Sequence, residues 1–355
     1  MPRLQKILTA VRRLSEAAKQ YNTSFYFQAK RFKNVHDNGL FSLDDALLWG
    51  LTDPALPDSA LENYISREAA SRLRKRVNPL EEFASVNDKA LFYRICAQAQ
   101  IPFPETFGVF VTGMSRRSKP TELQLPSVDL ESLPDGDFVA KPVWGREGIG
   151  IWFFEKSGSL FFVDGKLMGA EALCSLLREH ASNDDFVVQR RMIPHPSLSA
   201  ISGSRALQSA RLVTFLDAEE RPHILFARFK IVRHGNNIDN FDEGTTGNLI
   251  ADVDIETGRI TKVMTKIRSR IGLEPITQHP DTGKDLSFSL PDWQQAVQLA
   301  CKGARTFRRI RSLGWDVALT SEGPVILEAN QEWGILAIAP YRKPDPIGDW
   351  ESLIR

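Results

Sequence analysis

Gly314-Trp-Asp-Val-Ala-Leu-Thr-Ser-Glu-Gly-Pro-Val-Ile-Leu-Glu-Ala-Asn330 reads as a β-hairpin with one apolar and one oxygen-bearing face. The pattern predicts strands over 315–320 and 324–330. They are joined by the three-residue loop Ser321-Glu322-Gly323, with glycine where a left-handed residue is wanted. A turn centred on Glu322 sets Asp316 opposite Glu328. Side chains alternate along a strand, so one face carries Asp316, Ala318, Ile326, Glu328 and Asn330. The other carries Trp315, Val317, Leu319, Val325, Leu327 and Ala329 and is wholly apolar.

Two carboxylates and an amide side by side suit a hard cation such as Mg²⁺. Without one, the carboxylates repel across the strands. Glu and Asn are poor strand formers, yet here they end a run of otherwise ideal strand residues. The alternative is a solvated hairpin end.

The chain has 355 residues, enough for two or three packed units. Its apolar fraction of 42% and charged fraction of 25% are ordinary for a globular protein. A net charge of +1 gives no global electrostatic case for nucleic acid. Cys96, Cys174 and Cys301 lie far apart, with neither metal spacing nor a disulfide framework, which suits a reducing compartment. No apolar run reaches the ~18 residues of a membrane span, and the first residues lack a signal-peptide apolar block. A cytoplasmic location is therefore expected.

Residues 1–84 read mostly as helix, interrupted by Pro54, Pro57 and Pro79. Leu4, Ile7, Leu8, Val11 and Leu14 recur at helical spacing, with Lys6, Arg12 and Arg13 elsewhere. This helix is expected to pack on the rest of its domain, the alternative being a membrane surface. Arg72-Leu-Arg-Lys-Arg76 reads as a solvated helix face.

Ser85-Val-Asn-Asp88 looks like a cap opening a helix over 89–100, which Pro102 and Pro104 stop. A strand over 107–112 and a polar loop over 113–136 follow. Next comes a compact α+β pattern: strands over 138–142, 151–155, 160–163 and 186–191, with a helix over 169–180. From about 196 the chain is strand-rich, over 210–216, 223–232, 248–254 and 260–265. A long helix over 292–312 precedes the hairpin, and a tail with Pro340, Pro344 and Pro346 reads as extended. The expected regions are a helical 1–84, an α+β 85–195 and a C-terminal 196–355 that carries the metal site.

Lys141-Pro-Val-Trp-Gly145-Arg-Glu-Gly148-Ile-Gly150 is a strand lysine followed by a glycine-rich turn. It is not a Walker A sequence, because no Gly-Lys-Ser/Thr follows. Its backbone amides can still fold over phosphates, and Lys141 can reach a phosphate as a point charge. A plain glycine hairpin is the alternative.

Strand lysine, glycine loop and Asp…Glu-x-Asn hairpin together resemble the ATP-grasp superfamily, in which two α+β lobes hold ATP between them. The resemblance implies that Lys89 and Lys141 contact the nucleotide and that Gly145, Gly148 and Gly150 belong to a lid over its phosphates. It implies that Asp316, Glu328 and Asn330 ligate two Mg²⁺ ions, with Mn²⁺ as a substitute. Phe186-Val-Val-Gln189-Arg-Arg-Met-Ile193 falls where the family's adenine-binding strand and interlobe hinge lie. This puts Gln189, Arg190 and Ile193 at the nucleotide, with Gln189 where many members have glutamate.

Ser209-Ala-Arg211-Leu-Val-Thr214 resembles the Asp-Ile-Arg strand of several ATP-grasp ligases, whose arginine contacts the γ-phosphate or acyl group. Many ligases also place an arginine two residues before the metal Asp. Gly314 stands there, so Arg211 or Arg228 is expected to supply that charge. Arg228 and Lys230 share a strand face whose alternative reading is solvated. Asp239-Asn240-Phe-Asp-Glu-Gly244-Thr-Thr-Gly247 and His279-Pro-Asp-Thr-Gly283 make the chain look like the sugar-transfer-associated group, related to α-L-glutamate ligase-like proteins. Asn240 is then a phosphate or substrate contact, or else a turn asparagine. The resemblance covers about 85 to 340. His195, between two prolines, reads as structural rather than as a base.

The resemblance implies an ATP-dependent ligase joining a small-molecule carboxylate to an amine through an acyl-phosphate, the partners being amino acids, peptides or amino sugars. Lys141, Arg211 and Arg228 are its expected catalytic cations. The alternatives are a small-molecule kinase, with Asp239, Asp242 or Glu243 as base, and a non-catalytic nucleotide-binding regulator. Nothing in the sequence sets an oligomeric state.

Overall fold

The computed structural model describes residues 3–113, 125–145, 148–181 and 184–334. The expected extended tail and part of the 113–136 loop lie outside these residues.

The N-terminal region is helical: α1 (Arg3–Gln20), α2 (Phe25–Gly39), α3 (Leu43–Leu48) and α4 (Arg67–Val77). Ser24, Ser42 and Ser66 cap the last three by accepting from Phe27, Asp45 and Ala69 amides. Val35, Phe41, Ala46, Leu51 and Leu61 form a small core here. Ala70, Leu73 and Val77 dock α4 on Val213, Phe215, Phe226 and Trp333. Two expectations change. Arg74 is not solvated: its guanidinium lies 5.0 Å from the Trp333 ring centre and donates to the Trp333 carbonyl at 2.7 Å. α1 packs over only half its length, burying Leu14, Ala17 and Ala18 while Leu4, Ile7, Leu8 and Val11 stay exposed.

The first sheet follows α5 (Ala84–Asn87) and α6 (Lys89–Gln98), the latter capped by Asp88 accepting from Ala90 and Leu91 amides. Its elements are β1 (Thr106–Phe110), β2 (Gly136–Pro142), β3 (Trp152–Ser157), β4 (Leu160–Val163), β5 (Lys166–Gly169), α7 (Ala170–Glu179) and β6 (Phe186–Arg190). The order is β1-β6-β2-β3-β4-β5, antiparallel throughout. Leu173 and Leu177 of α7 pack on Phe138, Phe154, Phe161 and Phe186. Leu130 and Leu133 join the same core, so the described end of the expected loop is packed down.

The second sheet contains α8 (Pro196–Ser202), β7 (Ser209–Leu216), β8 (Pro222–Ile231), β9 (Leu249–Val253), β10 (Ile260–Lys266), β11 (Leu273–Ile276), α9 (Trp293–Thr306), β12 (Ser312–Thr320) and β13 (Gly323–Asn330). The order is β11-β10-β9-β8-β7-β12-β13. Short β5, β11 and α8 carry no periodic signal long enough to be read from sequence. α9 ends six residues earlier than expected, because Phe307 stacks on Phe92 at 5.3 Å and lies 5.8 Å from Trp315. Gly303 on α9 admits Trp315: a Cβ there would meet its ring at 2.8 Å.

The hairpin forms, with a change of register. Thr320 pairs with Gly323, so the loop closes over Ser321-Glu322, with Gly323 at φ +106°. Val317 then pairs with Ile326, and a bulge restores Asp316 opposite Glu328. The extra residue reverses the alternation from Leu327 back to the turn, so Val325 now pairs with Ala318. Ile326 enters the core beside Val317, and Leu327 turns out of it, half-buried.

Candidate active site

Strand polarity brings the charged ends of the two sheets to a common cavity of about 470 Å³. Lys89 of α6, Lys141 of β2 and Gly145 and Gly148 of the following turn line one side. Arg211, Lys230, Asp316, Glu328 and Asn330 of the second sheet line the other.

Its centre is a buried ion network. Arg211 and Asp316 are register partners on β7 and β12. Arg211 bonds Asp316 through Nε, and through Nη2 at 2.9 Å. Lys230 on β8 lies 3.2 Å from Asp316 and 3.3 Å from Asp239. Asp239 also accepts from the Ser209 amide at 2.8 Å and its hydroxyl at 2.6 Å. Buried charges persist only when compensated in this way. Burial opposes ionisation of Asp316, but Arg211 and Lys230 overcome it and hold the carboxyl well below the usual range. Burial likewise works against the charged Lys230, and Asp239 and Asp316 more than offset it, so its pKa is raised.

Lys141 stands differently. Burial pushes its pKa down to about 8, and nearby Glu328 only partly opposes this. Neighbouring Lys89 lowers it further. Lys89 donates to the Gly145 carbonyl at 2.5 Å, tying α6 to the glycine turn. Gly148 adopts φ +76°, which favours glycine there. Gly150 is not on the cavity wall, and Arg146 and Glu147 of the expected lid lie outside the described residues.

Asn330 donates to Glu328 at 3.2 Å, keeping two of the three expected oxygen donors adjacent. Tyr93 of α6 donates to the carbonyl of bulged Leu327 at 2.6 Å, so the bulge is held from outside the hairpin. Gly314 has a steric reason: a Cβ there would sit 2.6 Å from Trp333 Cβ and 3.1 Å from Arg211 Cδ. A side chain at that position would displace Trp333 and crowd Arg211 where it crosses to Asp316.

A smaller cavity of about 100 Å³ shares Lys141, Ile151, Asp239 and Leu327 with the first. Val139, Phe153, Met192 and Leu207 make it apolar, with Arg190 and Arg191 also on its wall. Arg190 stacks on Phe107 and Phe138, and Arg191 on Phe153.

Several expected residues lie elsewhere. Gln189 is fully buried, donates to Thr106 at 2.9 Å and lines neither cavity. Ile193 is exposed and lines neither. Arg228 bonds Asp252 at 2.5 Å and is absent from both walls. Asn240 does line the larger cavity. His195 caps α8 by accepting from the Ser197 amide, a structural role. Leu48 and Arg67, from the N-terminal helices, also line the larger cavity, which no motif signals. Arg67 lies 2.8 Å from Asp45 and pairs with Glu243. Lys230 was visible only as one of two strand cations, with nothing to tell which reaches the cavity.

A family model for sugar-transfer associated ATP-grasp proteins matches residues 68–340. The chain belongs to this ATP-grasp family. The match begins in α4, upstream of the region whose motifs carry the resemblance, and the two-sheet architecture is the ATP-grasp fold. No curated protein matches this ATP-grasp chain by sequence. Similar solved structures include an L-amino acid ligase from Bacillus licheniformis, at 11% identity and TM-score 0.36, covering 79% of this chain and 44% of that one. A biotin carboxylase from Campylobacter jejuni shows 9% identity and TM-score 0.43, covering 79% and 47%. A D-alanine–D-alanine ligase from Coxiella burnetii shows 11% and 0.37, covering 75% and 53%. The chain spans about half the length of these proteins.

Proposed function

We propose that this ATP-grasp protein is an ATP-dependent carboxylate–amine ligase that releases ADP and phosphate. The observation that carries the reading is the convergence of Lys89, Lys141, Arg211 and Lys230 with Asp316, Glu328 and Asn330 on one cavity between the sheets. The apolar neighbouring cavity suits adenine, with Val139, Ile151, Phe153 and Met192 against the ring faces. Arg190 remains in this proposal, whereas Gln189 and Ile193 do not.

The oxygen donors fit a hard cation. Asp316 is held ionised, as a ligating carboxylate must be, and Glu328 and Asn330 stand beside it. Bound Mg²⁺, or Mn²⁺ in its place, supplies neutralisation of phosphate charge. The chain's own cations do the rest. Lys89 and Lys141 hold the phosphates on the glycine-turn side, and Gly145 and Gly148 allow close backbone approach. Arg211 and Lys230 face the transferring group from the second sheet and stabilise its charge.

In the proposed reaction a substrate carboxylate oxygen attacks the γ-phosphorus, and the bond to the ADP oxygen breaks. The amine nitrogen then attacks the acyl carbon, phosphate leaves, and the nitrogen loses a proton. Positioning and electrostatics suffice, so no side-chain nucleophile is required. Water must be kept from the acyl-phosphate. The acid and amine would lie toward Arg67, Asn240 and Glu243 on the cavity wall.

Asp242 and Glu243 on that wall also favour a second reading, a kinase with a carboxylate base for a hydroxyl acceptor. Hydroxylamine separates the two. With Mg·ATP and pooled carboxylates, a ligase yields a hydroxamate as hydroxylamine intercepts the acyl-phosphate. A phosphorylated hydroxyl compound with no hydroxamate would replace the ligase by the kinase.

A further inference from the structure

α1 carries an apolar stripe that the fold only half uses. Leu14, Ala17 and Ala18 are buried, and Gln20 exchanges two hydrogen bonds with the Ile271 backbone, at 3.0 and 2.7 Å. This end is fixed to the body of the protein. The same stripe continues through Leu4, Ile7, Leu8 and Val11, which are 68, 52, 61 and 43% exposed. Their i, i+3, i+4, i+7 spacing keeps them on one side of the helix. From residue 4 to residue 11 that exposed side runs for about 10 Å.

The charge around the stripe is one-sided. α1 itself holds five basic residues, Arg3, Lys6, Arg12, Arg13 and Lys19, to one acidic residue, Glu16, and Arg13 pairs outside the helix with Asp44. Its first acidic residue comes only after Arg13. This is concentrated in a chain whose net charge is +1. Arg12 pairs with Glu16 at 3.6 Å, but both side chains are largely exposed, so the pair is weak and easily exchanged.

We propose that the projecting half of α1 docks the protein on an anionic lipid surface. The helix would lie in the interface plane, with Leu4, Ile7, Leu8 and Val11 entering the acyl boundary and Arg12, at the edge of the stripe, meeting lipid phosphates, while Lys6 on the far face adds to the attraction at longer range. Two features select this occupant. A second copy would set one basic helix against another, and nucleic acid offers nothing to the apolar stripe. Because the other half of α1 is anchored, docking holds the catalytic body at the surface rather than on a flexible tether.

The test is flotation of the full chain with mixed phosphatidylglycerol–phosphatidylcholine vesicles and with pure phosphatidylcholine vesicles. The protein is expected to float with the mixed vesicles and weakly or not at all with the neutral ones. Binding should fall several-fold on raising salt. The double variant Ile7→Gln/Leu8→Gln should lose at least about tenfold in binding. Its thermal transition should match that of the parent, since both side chains are exposed. Absence of flotation with anionic vesicles overturns the proposal, as does unchanged binding by the folded double variant. Self-association that the double variant abolishes, without vesicle binding, would instead give this face to a second copy.

Discussion

Arg211 and Asp316 face each other across neighbouring central strands and bond through two guanidinium nitrogens, with Lys230 completing the neutralisation of the carboxylate. Asp316 therefore has two tasks in this account. It compensates buried cations, and it is a proposed metal ligand. Glu328 is half-buried, bonds none of these cations directly and offsets the burial of Lys141 only in part, so the second task is its main one.

The two carboxylates should separate on mutation. Asp316→Asn leaves Arg211 and Lys230 under-compensated, with an expected stability loss of about 3–5 kcal/mol by chemical denaturation. Glu328→Gln should keep the parent's unfolding free energy within about 1 kcal/mol and lose Mg²⁺-dependent turnover. Full activity in Glu328→Gln would remove it from the metal site.

The two strand arginines should separate as well. Arg211→Lys is expected to lower turnover by about 10²–10³-fold, since a point charge cannot reproduce the guanidinium fork. Arg228→Met should cost about 1–3 kcal/mol by leaving Asp252 without its cation, while activity per folded molecule stays near the parent's. The reverse pattern in steady-state rates would exchange their roles.

Lys141 gives a pH signature. Its folded pKa of about 8 lies below the ordinary 10.5, so between these values the unfolded chain binds more protons and stability rises with pH. Phosphate binding favours the protonated amine, so Mg·ADP affinity should be greatest below about pH 8 and decline above it. Calorimetric titration of Lys141→Met should show weaker binding at neutral pH and a flatter profile. A variant profile that parallels the parent's would exclude Lys141 from the phosphate contact.

Gly314→Ala should test the close approach under Arg211. The added Cβ meets Trp333 Cβ at 2.6 Å, so a loss of about 1–3 kcal/mol in denaturation is expected. Unchanged stability would mean that Trp333 can move aside.

What the sequence disclosed follows physical range. The hairpin, the α6 cap and most strands were legible because alternation, capping and turn chemistry act over a few residues. The bulge at Leu327 was not, since nothing in Val-Ile-Leu-Glu marks an extra residue and Tyr93, which holds it, is 234 positions away. Gln189 sits on a strand buried at four consecutive positions, where alternation cannot say which face meets a ligand. Arg67 at the cavity and Arg74 on Trp333 depend on how the N-terminal helices dock, which no local pattern encodes. α1 failed differently: its amphipathic pattern was real, but half of it has no partner among the described residues.

In the proposed function, one cavity couples ATP cleavage to joining an acid with an amine. This coupling is tested most directly by quantifying ADP and free phosphate together, with Mg·ATP and pooled amino acids, small carboxylates and amino sugars. Equal ADP and phosphate are expected, produced only when an acid and an amine are both present. ADP formed with its phosphate retained on an acceptor would contradict it.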